Sequence, residues 1–120
     1  MIKNLWNRTT FCCNYRHEHP VDMQIIQGPA SPFYACPKYY PENREAGEAS
    51  CMMRLNFVDA ENVLETFSNI IEKDEAEDLY KDYTNFEFDY KQIHVKVLKY
   101  SRIGKISLEI LNRKAISWKK

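Results

Sequence analysis

The chain contains only three glycines among its 120 residues. Loops that cradle phosphate groups use several glycines, because only backbone without a Cβ can approach a phosphate closely. The sequence accordingly contains neither a P-loop nor a dinucleotide-binding fingerprint. It also has no G-x-S-x-G turn and no spaced carboxylate pair of the kind that hydrolases use. We therefore predict that the protein is not an enzyme.

Long hydrophobic runs are also missing. The apolar stretches are a few residues long, whereas a membrane-spanning helix needs about 20. Residues 1–10 are polar and charged, without the apolar run of a secretory signal. We therefore expect a cytoplasmic protein with no membrane partner. An apolar share of 44% is sufficient for a core, and 120 residues correspond to a single domain, 1–120.

The formal net charge is zero, but the charges are strongly segregated. Residues 1–58 carry six basic and five acidic side chains, residues 59–90 carry two and eleven, and residues 91–120 carry nine and one. Segregation of this kind can mark surfaces for partners of opposite charge. The alternative is that the basic tail packs beside the acidic middle and the two neutralise each other.

The fold class that the pattern predicts is α+β, in three zones. These are a Cys/His-rich zinc-ribbon-like unit over 1–58, an acidic helical segment over 59–83 and a basic β-hairpin region over 84–120. In the first zone, short apolar runs separated by turn residues predict three strands. They span residues 9–15, 21–26 and 54–58.

The acidic zone has the apolar spacing of one main amphipathic helix. Asp59 is the predicted N-cap, and the helix is expected to end near Lys73. Val63, Phe67 and Ile70 form an apolar stripe, with Leu64 and Ile71 beside it. Residues 74–83 are predicted to continue as a second helical piece.

From Asn85 onward the apolar period changes from that of a helix to two. Alternation of this kind places each apolar set on one side of a strand. The sets are Phe86 and Phe88; Ile93, Val95 and Val97; and Ile106, Leu108 and Ile110. Gly104 is expected in the turn of a hairpin, so this region is predicted to form a small antiparallel sheet. His94 is interpreted as an inert residue on its outward face.

Four cysteines and two histidines lie in the first half of the chain. In a reducing compartment, cysteines gathered with histidine indicate structural zinc rather than disulfides. The preferred ligand set is Cys13, His17, Cys36 and Cys51. Cys12 in place of Cys13, or His19 in place of His17, stays open. The competing interpretation is a set of reduced, buried thiols with surface imidazoles.

Two regions combine cations with features that suit nucleic acid. The aromatic segment 33–44 can stack bases and hold phosphates, although its aromatics can equally form the wall of a metal site. The basic hairpin can follow a phosphate backbone. The predicted nucleic-acid-binding residues are Lys38, Tyr39, Tyr40, Arg44, Lys96, Lys99, Arg102 and Lys105.

The segment 17–54, with F-Y-A-C-P-K-Y-Y-P-E-N-R and Cys51, resembles small zinc-ribbon-like proteins of bacterial mobile elements. The resemblance covers about a third of the chain. It implies a zinc-supported N-terminal unit on a phage, plasmid or integrative element. Inhibitors of host defence nucleases recur among such proteins, so the analogy also implies an anti-CRISPR type of inhibitor.

Two functions follow from these observations. The first is a non-enzymatic, zinc-stabilised intracellular protein that binds nucleic acid or a nucleoprotein. The alternative is an inhibitor that binds a host nucleic-acid enzyme through its acidic helix. The acidic residues in that case are Glu72, Asp74, Glu75, Glu77 and Asp78. A metal-dependent hydrolase is a weaker third option, because His17-Glu18-His19 lacks the H-E-x-x-H spacing.

Overall fold

The structure is a computed structural model that describes residues 5–14, 20–28, 30–37, 53–75, 77 and 81–112. Two helices and eight strands lie within these residues. In chain order they are α1 (Leu5–Arg8), β1 (Thr9–Cys13), β2 (Val21–Asp22), β3 (Gln24–Gln27), β4 (Pro32–Ala35), β5 (Arg54–Asn56), α2 (Phe57–Glu75), β6 (Glu87–Tyr90), β7 (Ile93–Lys99) and β8 (Ile106–Asn112). The α+β class is therefore confirmed, and no described helix is long and apolar enough to cross a bilayer.

The larger sheet has five strands in the order β2-β1-β8-β7-β6. The period-two runs form the antiparallel strands β6, β7 and β8, as predicted. The sheet is nevertheless mixed rather than antiparallel, because β1 pairs in parallel with β8. Local alternation of apolar residues specifies which face of a strand is buried but not which distant strand lies beside it.

The smaller sheet has three antiparallel strands in the order β3-β4-β5. The strand predicted over 21–26 is divided at Met23, so that β2 belongs to the larger sheet and β3 to the smaller. The Met23 amide donates to the Phe11 carbonyl at 2.8 Å, which holds the crossing point against β1. The strand predicted over 54–58 ends at Asn56, where α2 begins.

Helix α2 begins three residues earlier than the predicted N-cap, Asp59, implies. The Asn56 side chain accepts a hydrogen bond from the Asp59 amide at 2.7 Å, so Asn56 is the N-cap and Asp59 lies in the first turn. Asp74 and Glu75 complete this helix. Beyond Glu75 the second helical piece predicted over 74–83 is wrong for the described residues, because Glu77 lies in a turn and residues 81–83 have no regular structure.

The core lies between α2 and one face of the larger sheet. Val63, Phe67 and Ile71 are almost completely buried, whereas Ile70 is half-buried beside them. The Phe67 ring stacks on Phe88 at 5.4 Å and meets Tyr83 edge-on at 5.6 Å. One face of the sheet is therefore committed to the core, and any binding function of the sheet belongs to its edges, its turns and its other face.

Candidate functional site

Cys13 and Cys36 are the two described members of the predicted zinc site, and both belong to the single core cluster. Neither side chain is exposed to solvent. Cys36 directly follows β4, and its amide donates to the Met53 carbonyl at 3.2 Å. Met53 is only two residues after Cys51 in the sequence. The fold thus brings Met53 against Cys36.

Cys12 lies on the opposite side of β1 from Cys13. Its Sγ donates to a carboxylate oxygen of Asp22 at 3.5 Å, and it is absent from the core cluster that contains Cys13. Burial and then the nearby Asp22 charge raise the pKa of the Cys12 thiol to about 12. Of the two adjacent cysteines, Cys13 is therefore the one that shares the core with Cys36.

A tetrahedral site needs two further donors. Within the ranges that the structure describes, no three His, Cys, Asp or Glu side chains are grouped as metal ligands. His17, His19 and Cys51 lie outside the described residues, so the choice between the histidines is not tested. The thiols of Cys13 and Cys36 are both closed to solvent, as the ligands of structural zinc sites are.

The basic hairpin consists of β7, β8 and the turn between them. Lys99, Arg102 and Lys105 are exposed around that turn. They form no ion pair with another described residue. From position 97 to position 108 the sequence contains no acidic residue. Positive charge is consequently concentrated at this end of the hairpin.

Lys96 was predicted with these residues, but it has different neighbours. On the outward face it pairs in register with Glu87 of β6 on one side and with Glu109 of β8 on the other. It is half-buried there. Cross-strand neighbours of opposite charge reduce each other's electrostatic potential. Lys96 therefore contributes less positive potential to the end of the hairpin than Lys99, Arg102 or Lys105.

The turn between β7 and β8 is held by Arg8 at the end of α1. Its Nη1 donates to the carbonyl oxygens of Ser101, Arg102 and Gly104 at 3.1, 3.2 and 2.8 Å. The Gly104 amide in turn donates to the Ser101 hydroxyl at 2.8 Å. Arg8 was not identified from the sequence, because its partners are more than 90 residues away and are backbone atoms.

The acidic residues near the end of α2 are partly used within the fold. Asp74 accepts hydrogen bonds from Lys81 Nζ at 3.0 Å and from the Tyr83 hydroxyl at 2.9 Å. These bonds, with the one from Lys81 dominant, lower the pKa of Asp74. Glu77 is exposed and Glu72 is half-buried. Asp78 and the side chain of Glu75 lie outside what the structure describes.

Of the aromatic segment, the structure describes only residues 33–37. Tyr34 of β4 packs against Phe11 and Phe57, each with ring centres 5.0 Å apart. Trp6, which the sequence analysis did not single out, meets the Tyr34 ring at 6.3 Å and is 41% exposed. Lys38, Tyr39, Tyr40 and Arg44 lie outside the described residues. Tyr34 is thus a packing residue, and the proposed stacking residues are not tested.

His94 has a more specific environment than the sequence indicated. Its two ring nitrogens lie 2.7 Å from Asp89 Oδ1 and 2.7 Å from Glu87 Oε1, both on the edge strand β6. The hydrogen bond with Asp89 is the largest cause that raises the pKa of His94. In register, His94 faces Asp89 directly. A histidine opposite an acidic residue on a neighbouring strand was the available signal.

Comparison with protein-family models, with curated proteins and with solved structures found no match to this chain.

Proposed function

We propose that this protein is a small, non-enzymatic intracellular binding protein with a zinc-supported N-terminal half and a C-terminal basic β-hairpin that binds nucleic acid or a nucleoprotein. The observation that carries the proposal is the turn between β7 and β8. Three exposed cations surround it, and Arg8 fixes its backbone through three carbonyl oxygens. We call Lys99, Arg102, Lys105 and the turn between them the hairpin tip.

The hairpin tip suits a polyanion for two reasons. Lysine and arginine neutralise phosphates and release their counterions, which supplies most of the affinity for a nucleic-acid backbone. A turn that is already fixed before binding loses less conformational entropy when it binds. The absence of acidic residues from position 97 to position 108 removes local repulsion of phosphate.

The direct test is binding of a fluorescent 20-base-pair DNA duplex, measured by anisotropy at several salt concentrations. We expect the triple variant Lys99→Gln/Arg102→Gln/Lys105→Gln to lose most of the affinity. The slope of log affinity against log salt is expected to fall by about 3, because about 0.9 is lost for each phosphate contact removed. The single variants Lys99→Gln and Lys96→Gln are the matched pair, since each removes one cation from the same hairpin, and Lys99→Gln should weaken binding more. Equal effects of Lys96 and Lys99 substitutions would contradict the proposed interface.

The zinc part of the proposal is supported by the burial of Cys13 and Cys36 in one cluster. With His17 and Cys51 they would supply three thiolates and an imidazole, and the metal would stabilise a segment with few regular elements. We expect about one zinc per chain in protein purified without chelator. Cys36→Ser and Cys51→Ser should lose the metal and stability, whereas Cys12→Ser should keep the metal. Metal-free wild-type protein would overturn this part.

The alternative function is inhibition of a host nucleic-acid enzyme through the acidic residues 72–78. Its support is weaker, because Asp74 is already bound by Lys81 and Tyr83. Charge reversal at Glu72 and Glu77 distinguishes the two functions. Unchanged binding of the DNA duplex is expected if the hairpin tip is the interface. Failure of the wild type to bind DNA or RNA at low salt would favour the protein partner instead.

A further inference from the structure

Ile103 is an exposed apolar residue at the outermost part of the hairpin tip. Its side chain is 83% exposed, more than Trp6, Ile25 or Val58, the other large hydrophobic residues that the described part of the chain exposes. Single apolar residues on a surface are common and need no explanation by themselves. Ile103 differs because of the way its turn is built and because of the charges around it.

The turn is constructed so that its backbone has little freedom. A Cβ added to Gly104 would lie 2.8 Å from the Ser101 hydroxyl oxygen, the atom that accepts the Gly104 amide hydrogen bond. Arg8 holds the carbonyls on both sides of Ile103, those of Arg102 and Gly104, at 3.2 and 2.8 Å. These bonds fix the position of Ile103 even though its side chain touches little of the protein.

The charges beside Ile103 are all of one sign. Arg102 precedes it directly, and Lys105 follows two positions later. Both side chains are exposed, and Lys99 is exposed at the end of β7. No acidic residue occurs from position 97 to position 108. The tip thus presents one branched aliphatic group between two cations.

From this geometry we infer that Ile103 is an apolar wedge that enters the minor groove of duplex DNA and partly unstacks one base step, while Arg102 and Lys105 hold the flanking phosphates. This inference rests on the proposed function. Aliphatic side chains inserted between base steps kink a duplex, and flanking cations hold the bent backbone. Single strands are instead bound by aromatic rings that stack on bases, and an isoleucine has no such ring.

Duplex DNA is favoured over duplex RNA for a geometric reason. A wedge that inserts from the minor groove requires a groove that grips the side chain, whereas the minor groove of A-form RNA is wide and shallow. An anionic lipid surface is disfavoured because stable attachment to a membrane needs more than one apolar anchor or a large basic patch. One fixed isoleucine is sufficient for a wedge.

The test is the bend of a 20-base-pair duplex with a central TA step, because TA steps are easily unstacked. Energy transfer between dyes at its two ends measures the bend, and 2-aminopurine at the step measures unstacking. We expect the wild-type protein to raise both signals. Ile103→Ala should abolish both and weaken binding about tenfold, since most of the buried aliphatic area is lost. The salt slope should not change, because no phosphate contact is removed.

Ile25→Ala is the matched control, since Ile25 is 60% exposed on β3 and lies outside the hairpin. It should leave bend, unstacking and affinity unchanged. Wild-type binding without bending, with equal affinity for Ile103→Ala, would overturn the wedge and leave the proposed function intact. No binding of any nucleic acid would overturn both. Ile103-dependent binding to anionic phosphatidylserine vesicles, without a DNA bend, would show that the wedge serves a lipid surface and would also overturn the inference.

Discussion

The two turns that flank β7 differ in how they are built. The turn between β6 and β7 has only two residues, Lys91 and Gln92, and Lys91 has a φ of 53°. The turn between β7 and β8 is longer. Arg8, which lies outside this turn, and Ser101, which belongs to it, both form hydrogen bonds with its backbone. The first turn reverses the chain within two residues. The backbone of the second turn is bound by a residue more than 90 positions away. An arginine so distant in the sequence binds this turn. This indicates that the conformation of the second turn has a role besides reversing the chain.

Arg8→Met is expected to have the largest effect on the turn between β7 and β8. It keeps much of the side-chain length but removes the hydrogen-bond donors. Three carbonyl oxygens, two of them in partly buried bonds, lose a charged partner. We expect the free energy of unfolding to fall by about 2 kcal/mol. Chemical denaturation measures this loss, and hydrogen exchange should show faster exchange of the Gly104 amide.

Arg8→Lys is the companion variant, because it keeps the charge on a shorter side chain whose donor reaches less far toward the three carbonyl oxygens. It should recover only part of the stability. If Arg8→Met left the exchange at Gly104 unchanged, the turn would be fixed by Ser101 and its own sequence.

Gly104→Ala tests the hydrogen bond between Gly104 and Ser101 within the turn. The added Cβ would lie 2.8 Å from the Ser101 oxygen and would displace the hydrogen bond that Gly104 donates to it. We expect a loss of about 1 to 2 kcal/mol in thermal or chemical unfolding. In the double variant Ser101→Ala/Gly104→Ala the clash is relieved, so the second substitution should cost less than it does alone. Additive losses would contradict this account.

A change of pH tests the side of β7 that faces β6, where His94 contacts Asp89 and Glu87. Because hydrogen bonds with Asp89 and Glu87 raise the pKa of His94 above its usual 6.5, the protonated histidine stabilises the folded state. That contribution is complete below pH 6.5 and is lost as pH rises through the folded-state pKa. His94→Gln should therefore cost up to about 1 kcal/mol at pH 5.5 and much less at pH 9.

Denaturation of both proteins across this range measures the effect, and the His94 ring resonances report its titration directly. Lys96→Gln is the control on the same strand and face. A difference between wild type and His94→Gln that does not depend on pH would contradict the role of the two carboxylates.

The smallest expected effect is a gain of stability in the two-residue turn. Lysine at a φ of 53° carries a steric cost from its Cβ that glycine does not have. Lys91→Gly should therefore stabilise the protein by about 0.5 kcal/mol, after the extra freedom of glycine in the unfolded state is subtracted. Gln92→Gly, at the neighbouring position without a positive φ, should destabilise it. The same sign for both variants would refute the strain at Lys91.

Local sequence patterns were sufficient to predict the helices and strands that bury one face against a single core. Val95 and Val97 alternate with polar residues along β7, and Val63 and Phe67 share one side of α2, because one face of each element meets one core. The N-cap was placed wrongly because Asn56 and Asp59 are both good capping residues, and the strand β5 decides which of them is available. Such choices depend on where the preceding element ends.

The candidate sites were less predictable than the elements. The charge segregation did indicate the hairpin, but it could not separate Lys96 from Lys99, because that separation depends on the register with Glu87 and Glu109. The role of Arg8 was invisible for a different reason, since its partners are carbonyl oxygens that every residue has. The carboxylates beside His94 were missed although Asp89, opposite it across a two-residue turn, was an available signal.

The parallel pairing of β1 with β8 has a consequence for the order of folding. Strand β8 is the central strand of the larger sheet, yet it follows the other four strands of that sheet in the chain. During synthesis, β1 must therefore wait, unpaired on the side that β8 will occupy, until about a hundred residues have been made. Closing so long a loop is slow, and contacts of high sequence separation slow folding in general. The protein should therefore fold late and cooperatively, with β8 as the strand that joins the N-terminal pair to the hairpin.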